Sequence, residues 1–491
     1  MVRRNGTAQT TLLCTIFSLL QCTHRFYNMK YKAKLNLLAK NLQLDATVLL
    51  SIIAKLWNSS AYLITTVLLI SFFSPEEQGF YYTFSSLLAI QVFAELGLGQ
   101  IILQFTSHEW AGLHFTIDGS IDGDAACLAR LKELATLSLR WFGTASVIAT
   151  IILLAAGPSF FRSSGVASNA WLWPWIALCV VAGCKLIFIP VWAIVEGANE
   201  VKASYTFKAI DGLLVSVTMW LCISLGLGLW TSAIAGTASI CWAIIFLTRR
   251  YSRALVSLVR VKPQNLISWR REIWPLQWKI ALSWLSGYFS FSLFTPIVFH
   301  YSGPVLAGRM GMTWTLVNGI SGIASSWTTP RTPQFGKLIA QRKFSDLDRL
   351  FFRSTLASCL IAALGAAMFW GGVFMLNRFN HPWALRILSP WPTALFLIAM
   401  ILMQISSPQA AYLRAHKQEP FLVLSLIGGI LITITALVLG RNFGATGIAA
   451  GYSATVTFFI LPYGSIIWYR CRAAWHHRTE FSSPVTVDNR T

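Results

Sequence analysis

The sequence predicts an all-α polytopic membrane protein: twelve transmembrane helices in two six-helix parallel pseudo-repeats that form two lobes. Three observations predict it. The chain holds twelve long apolar runs, its basic residues crowd into alternate breaks, and landmarks recur in the two halves. Charged residues make up 12% of the 491 residues, against roughly 25% in a soluble domain. Most side chains therefore face something other than water, which narrows function to transport, channel activity or membrane-embedded catalysis.

Taken in chain order, residues 1–43 form a tail. Leu12–Leu20 is apolar but too short to span, and no small-residue cleavage site follows it. Met29 precedes a basic amphipathic stretch from Lys30 to Lys40, so 1–28 reads as an over-long start or a dispensable tail. The apolar runs fall at 46–73, 79–105, 134–157, 171–195, 205–225, 229–248, 273–300, 304–329, 350–375, 390–412, 420–440 and 445–469. Most reach the roughly 20 residues a spanning helix needs.

The breaks set direction. One alternate set carries Lys30, Lys32, Lys34 and Lys40, then Arg130 and Lys132, Lys202, and Arg249 through Arg271. It continues with Arg331, Lys337, Arg342, Lys343 and Arg349, then Arg414, Lys417, Arg470, Arg472 and Arg478. The other set holds only Arg162, Arg378, Arg386 and Arg441. Cytoplasmic loops carry such an excess, so both termini are expected in the cytoplasm of a multi-pass inner-membrane protein. The same alternation accounts for the net charge of +21 without nucleic-acid binding.

The halves align. Leu131–Arg140 corresponds to Leu347–Leu356, Gly212-Leu-Leu to Gly429-Ile-Leu, and Ala235-Gly236 to Ala450-Gly451, at nearly constant offset. The predicted units are an N-lobe at 44–248, a basic connector at 249–272, a C-lobe at 273–469 and a tail at 470–491. Six spans per half make the repeat parallel, and such a repeat places a substrate path between lobes.

Several segments resemble the multidrug/oligosaccharidyl-lipid/polysaccharide (MOP) exporter superfamily, most nearly its flippases for lipid-linked O-antigen and other polysaccharide units. They are Glu77-Gln-Gly-Phe-Tyr-Tyr-Thr-Phe84, Glu95-Leu-Gly-Leu-Gly-Gln100, Ala307-Gly-Arg-Met-Gly-Met-Thr313 and Thr332-Pro-Gln-Phe-Gly-Lys-Leu-Ile-Ala340. The likeness covers about 44–470. It implies alternating access between two lobes and a cargo of sugar on a polyprenyl pyrophosphate. Polysaccharide polymerase and glycosyltransferases are the neighbours it implies.

Ionisable groups inside the bilayer are functional candidates by default. In the first half these are Lys55, Arg140, Lys185, Glu95 and Asp211. Lys55 and Glu95 lie roughly 13 and 15 Å from the cytoplasmic ends of their spans, and Lys185 and Asp211 also match in depth. Two structural ion pairs are one reading; a proton- or cation-coupling role for Glu95 is the other. In the second half, Lys279 and Arg309 lie inside predicted spans with no intramembrane acid on their own lobe, where every acid falls in a loop or at a span end. Either they snorkel, or they line a cationic cavity with Lys55, Arg140 and Arg331 that attracts a pyrophosphate.

Gly97, Gly99, Gly308, Gly311, Gly319 and Gly322 mark bends or close packing. Trp57, Trp284, Trp314 and Trp327 lie inside spans, within reach of sugar or prenyl groups. The nine cysteines form no CxxC pair and the histidines have no ligand spacing, so no metal, cofactor or catalytic group is predicted. A drug exporter of the same superfamily would favour acids in its path. A membrane polymerase or ligase would carry a large outer loop, and the predicted outer loops are short.

Overall fold

The computed structural model describes Trp57 and residues 61–162, 165–260, 292–416 and 418–480, with a few positions between 272 and 281. The first described helix, α1, is Ala61–Phe72. The second predicted span begins earlier than the apolar run suggests, at α2 (Pro75–Leu88). Ser74 caps it in a full capping box: the Glu77 amide donates to Ser74 Oγ at 3.1 Å and the Ser74 amide to Glu77 Oε2 at 2.8 Å. Pro75 at the first helical position needs no donor of its own.

A turn of 3-10 helix at Ala89–Gln91 leads into α3 (Val92–Glu95), and α4 (Leu98–Glu109) follows. Between α3 and α4 the span is broken. Leu96 and Gly97 both adopt left-handed backbone, φ 44° and 69°, and the two parts bend by 43°. The N-lobe continues through a short hairpin, β1 (Leu113–Phe115) and β2 (Ile121–Gly123), then α5 (Ala125–Phe161), α6 (Ser168–Gly197), α7 (Val201–Ser224) and α8 (Thr231–Arg260). The hairpin occupies a stretch that lies between predicted spans. Gly119, at φ 83°, turns it, with its amide on the Thr116 carbonyl at 2.9 Å.

Small residues let α5 and α6 lie close. A Cβ on Gly157 would sit 2.0 Å from the Trp175 indole nitrogen, and one on Gly183 2.3 Å from Thr150 Oγ1. Ser146 Oγ donates across the same contact to the Gly183 carbonyl at 2.7 Å. Away from this seam α5 presents Val147, Ile148, Ile151 and Ile152 to its surroundings. An aliphatic stripe of this kind is bilayer-facing.

The C-lobe comprises α9 (Phe294–Ser325), α10 (Thr332–Ala340), α11 (Phe344–Arg378), α12 (Pro390–Ala415), α13 (Leu422–Thr455) and α14 (Leu461–Glu480). α9 changes direction at Gly303, φ 83°. α13 doubles back at Gly444: Gly440 meets Ile448, Gly447 meets Leu439, and Gly451 meets Thr435, an antiparallel pattern centred on the turn. Among the described residues seven helices are long and apolar enough to cross a membrane, eight if the bent second span counts as one. One of the seven, Leu422–Trp475, is the segment that reverses at Gly444.

The lobes join chiefly through α2 and α9. A Cβ on Gly79 would lie 2.0 Å from the Pro304 carbonyl oxygen, one on Gly308 2.9 Å from the Gly79 amide, and one on Gly311 2.3 Å from Tyr82 Cβ. Phe80 and Phe161 of the N-lobe pack on Phe299 of the C-lobe, at 5.1 and 5.3 Å. All of these contacts gather at the end of the molecule where α2 begins, the Ser74 end.

Candidate functional site

Following α9 away from that seam exposes the path between the lobes. Asn318 and Gly322 lie seven and eleven residues beyond Gly311, and helical geometry puts them on the same face. Gly311 is sealed against Tyr82, whereas Asn318 is exposed and, among the described residues, a Cβ on Gly319 or Gly322 would meet nothing within 4 Å. Among the described residues the cleft is thus closed at the Ser74 end and widens toward the opposite, Glu109 end.

Polar contacts lock the closed end. Gln78 is buried, and its Nε2 donates to the Gly308 carbonyl and to the Arg386 carbonyl, both at 2.9 Å. Arg386 Nη2 donates in turn to the Phe73 carbonyl at 2.6 Å. Burial pulls the Arg386 guanidinium below its ordinary value, and Glu76 and Glu77 oppose the shift. Gln78 came into the sequence reading only as part of a motif; its role as a lobe-to-lobe donor depends on a partner 230 residues away.

Arg309 follows Gly308 at the depth of this seal. It is half-buried, forms no ion pair or hydrogen bond among the described residues, and its Nε is buried without an acceptor. It is not grouped with Arg331. Ser325, the end of α9, is about 24 Å from Arg309 along the axis, and Arg331 lies beyond it with Nη1 on the Trp327 carbonyl at 2.7 Å. Arg140 is exposed on α5, on the stripe that continues through Val147, Ile148 and Ile151. Lys55 and Lys279 lie outside the described residues, as does Trp284.

The acids behave unevenly. Glu95 ends α3 at the break in the second span, and its Oε1 lies 3.2 Å from where a Cβ on Gly99 would stand, beside Ile189 of α6. It makes no ion pair among the described residues. The break frees backbone carbonyls, and Trp141 Nε1 satisfies that of Ala94 at 3.0 Å. The expected Lys185–Asp211 pair is not formed. Lys185 is exposed, while Asp211 Oδ1 is buried with no hydrogen-bond partner among the described residues. Matching depth was not enough, because the two side chains leave their helices in different directions. Next to Asp211, the Gly212 carbonyl accepts Trp57 Nε1 at 3.4 Å.

Ion pairs do form at the Glu109 end. Arg130 Nε meets Glu109 at 2.8 Å and its Nη2 meets Glu272 at 3.2 Å, which ties α4 and α5 to the last residue of the connector. The hydrogen bond to Glu109 raises the guanidinium's hold on its proton. Lys208 pairs with Glu196, Arg250 with Glu200 at 2.8 Å, and Arg472 with Asp348 at 2.5 Å. Lys208 therefore has a carboxylate partner at the membrane edge.

Solved structures share this architecture. A multidrug resistance MATE family transporter of the MOP superfamily, inward-facing, is 16% identical over 87% of this chain and 96% of its own, with a TM-score of 0.58. The lipid II flippase MurJ, inward closed, is 12% identical over 88% of this chain and 90% of its own, TM-score 0.63. A MOP superfamily transporter from Pyrococcus furiosus, described by a binding pocket of reverse polarity, is 16% identical over 88% and 96%, TM-score 0.56. No family model and no curated relative matches the sequence. The chain has the fold of the MOP superfamily transporters, a helical, multi-pass membrane architecture.

Proposed function

We propose that this protein is a flippase that moves a polyprenyl-pyrophosphate-linked oligosaccharide, an O-antigen or exopolysaccharide repeat unit, across the inner membrane by alternating access. The observation that carries the reading is Arg309: a cation with a buried, unsatisfied nitrogen at the depth where the lobes close. An unpaired guanidinium in a membrane protein is costly, and a pyrophosphate would satisfy it through paired N–H donors. The closed Ser74 end and wide Glu109 end suit loading from one leaflet. By loop charge the wide end is cytoplasmic, where lipid-linked sugars would be collected. Lys55, Arg140, Lys279 and Arg331 are the further cations that would draw the anion in. Glu95, with Lys185 and Asp211 as further candidates, is the group available for ion coupling. No catalytic step is assigned.

A cation-coupled multidrug exporter is the second reading, favoured by the unpartnered Asp211 Oδ1 and by Glu95. A chromosomal deletion separates the two. The flippase predicts loss of surface polysaccharide with lipid-linked units accumulating on the cytoplasmic leaflet, restored by the wild-type gene. Intact polysaccharide with increased drug sensitivity would overturn it in favour of the exporter.

A further inference from the structure

Within the C-lobe, α9, α12 and α13 enclose a cavity of about 230 Å³. We propose that it is a subsite for one uncharged, hydroxyl-bearing ring, a sugar of the lipid-linked cargo; this rests on the flippase reading above. None of its lining side chains carries a charge, so it offers an anion no counter-charge. One wall is aromatic. Trp314 and Tyr452 meet edge-on at 5.5 Å, and Trp314 packs on Phe396 at 5.4 Å.

The other wall is a fixed polar frame. Gln404, 3% exposed, donates through Nε2 to Ser321 Oγ at 2.8 Å. Its Oε1 accepts Ser325 Oγ at 3.3 Å and shares the Ser358 hydroxyl, 3.0 Å away, with the Ala324 carbonyl at 2.9 Å. The Asn318 amide, the Ser407 hydroxyl and the Tyr452 phenol make no hydrogen bond among the described residues. These groups donate and accept without charge, which matches the hydroxyls of a sugar ring, while the aromatic wall suits its C–H face.

Polar groups facing acyl chains would be penalised, so lipid is a poor occupant. The volume is below the roughly 300–1,000 Å³ of whole-ligand sites, which limits it to a single ring. Asn318 stands on the interlobe face of α9, so the cavity opens where a two-lobed carrier would hold cargo.

The test is native mass spectrometry of the detergent-solubilised full chain with synthetic polyprenyl pyrophosphate. The lipid is presented bare or bearing one glucose, galactose or N-acetylglucosamine. Wild type should prefer at least one glycosylated lipid by about ten-fold, what one or two net hydrogen bonds supply. Ser407→Trp, which fills the mouth, and Asn318→Ala should erase that preference and leave binding of the bare lipid unchanged. Equal binding of bare and glycosylated lipids by wild type, or a preference that survives Ser407→Trp, overturns the subsite and leaves the flippase reading intact. Failure of wild type to bind any of the lipids overturns both.

Discussion

Gln78 of one lobe donates to the Gly308 carbonyl of the other at 2.9 Å. Side chain meets backbone there because Gly79, Gly308 and Gly311 carry no Cβ. At Gly79 a Cβ would come within 2.0 Å of the Pro304 oxygen, which no rotamer change relieves. Gly79→Val should therefore open the Ser74 end. Overpacking costs about 1–3 kcal/mol, enough to shift a two-state equilibrium roughly 5- to 150-fold. An impermeant thiol reagent should label a cysteine placed at Thr83 far faster in that variant than beside wild-type Gly79. Unchanged labelling would mean that this contact does not close the cleft.

Arg309 gives the second prediction. Arg309→Ala should abolish polysaccharide export while the protein reaches the membrane at normal levels. Arg309→Lys keeps the charge but loses the two-pronged donor geometry, so it should retain partial export, down by about ten-fold if one bidentate contact is replaced by a single one. Full complementation by the Ala variant would remove the cargo role of this residue.

These two sites show how far the residues alone reach. Among the described residues most helices begin or end within a few positions of the apolar runs, and Ser74-Pro-Glu-Glu77 is a readable capping box that moves the start of α2 ahead of its apolar stretch. Gly308 and Gly311 are legible as close-packing glycines, yet nothing local reveals that Gly79 and Tyr82, in the other lobe, are what they pack against. Lys185 and Asp211 mark the same limit. Rise per residue fixes depth, but the rotation of each helix decides which way a side chain leaves it, and tertiary packing sets that rotation. The β1–β2 hairpin had a usable signal in Asp118-Gly119, a turn dipeptide between short apolar stretches.

The break at Glu95–Gly97 yields a third prediction. Trp141 holds the Ala94 carbonyl that the break leaves without a helical donor. Trp141→Phe keeps the ring volume near its original size and orphans that carbonyl, which should cost about 1–3 kcal/mol. Leu96, at φ 44°, is an L-residue in left-handed backbone, a strain of roughly 1–2 kcal/mol. Leu96→Gly should therefore leave stability equal or raised. Thermal melting of the detergent-solubilised variants reads both signs. A stable Trp141→Phe together with a destabilised Leu96→Gly would contradict this account of the break.

Arg130 gives the last prediction, through the group it leaves behind. Its Nε meets Glu109, whose side chain is only 10% exposed, while its Nη2 reaches Glu272 at the end of the connector. Removing the cation strands a nearly buried carboxylate. Arg130→Ala should therefore cost about 1.5–3 kcal/mol, the worth of a hydrogen bond to a charged group, reduced where Arg130 itself is open to solvent. The double variant Arg130→Ala with Glu109→Gln should recover part of that loss, because the stranded charge is gone. A double variant no more stable than Arg130→Ala alone would mean that Arg130 acts through Glu272, holding the start of the second half against the first, and not through Glu109.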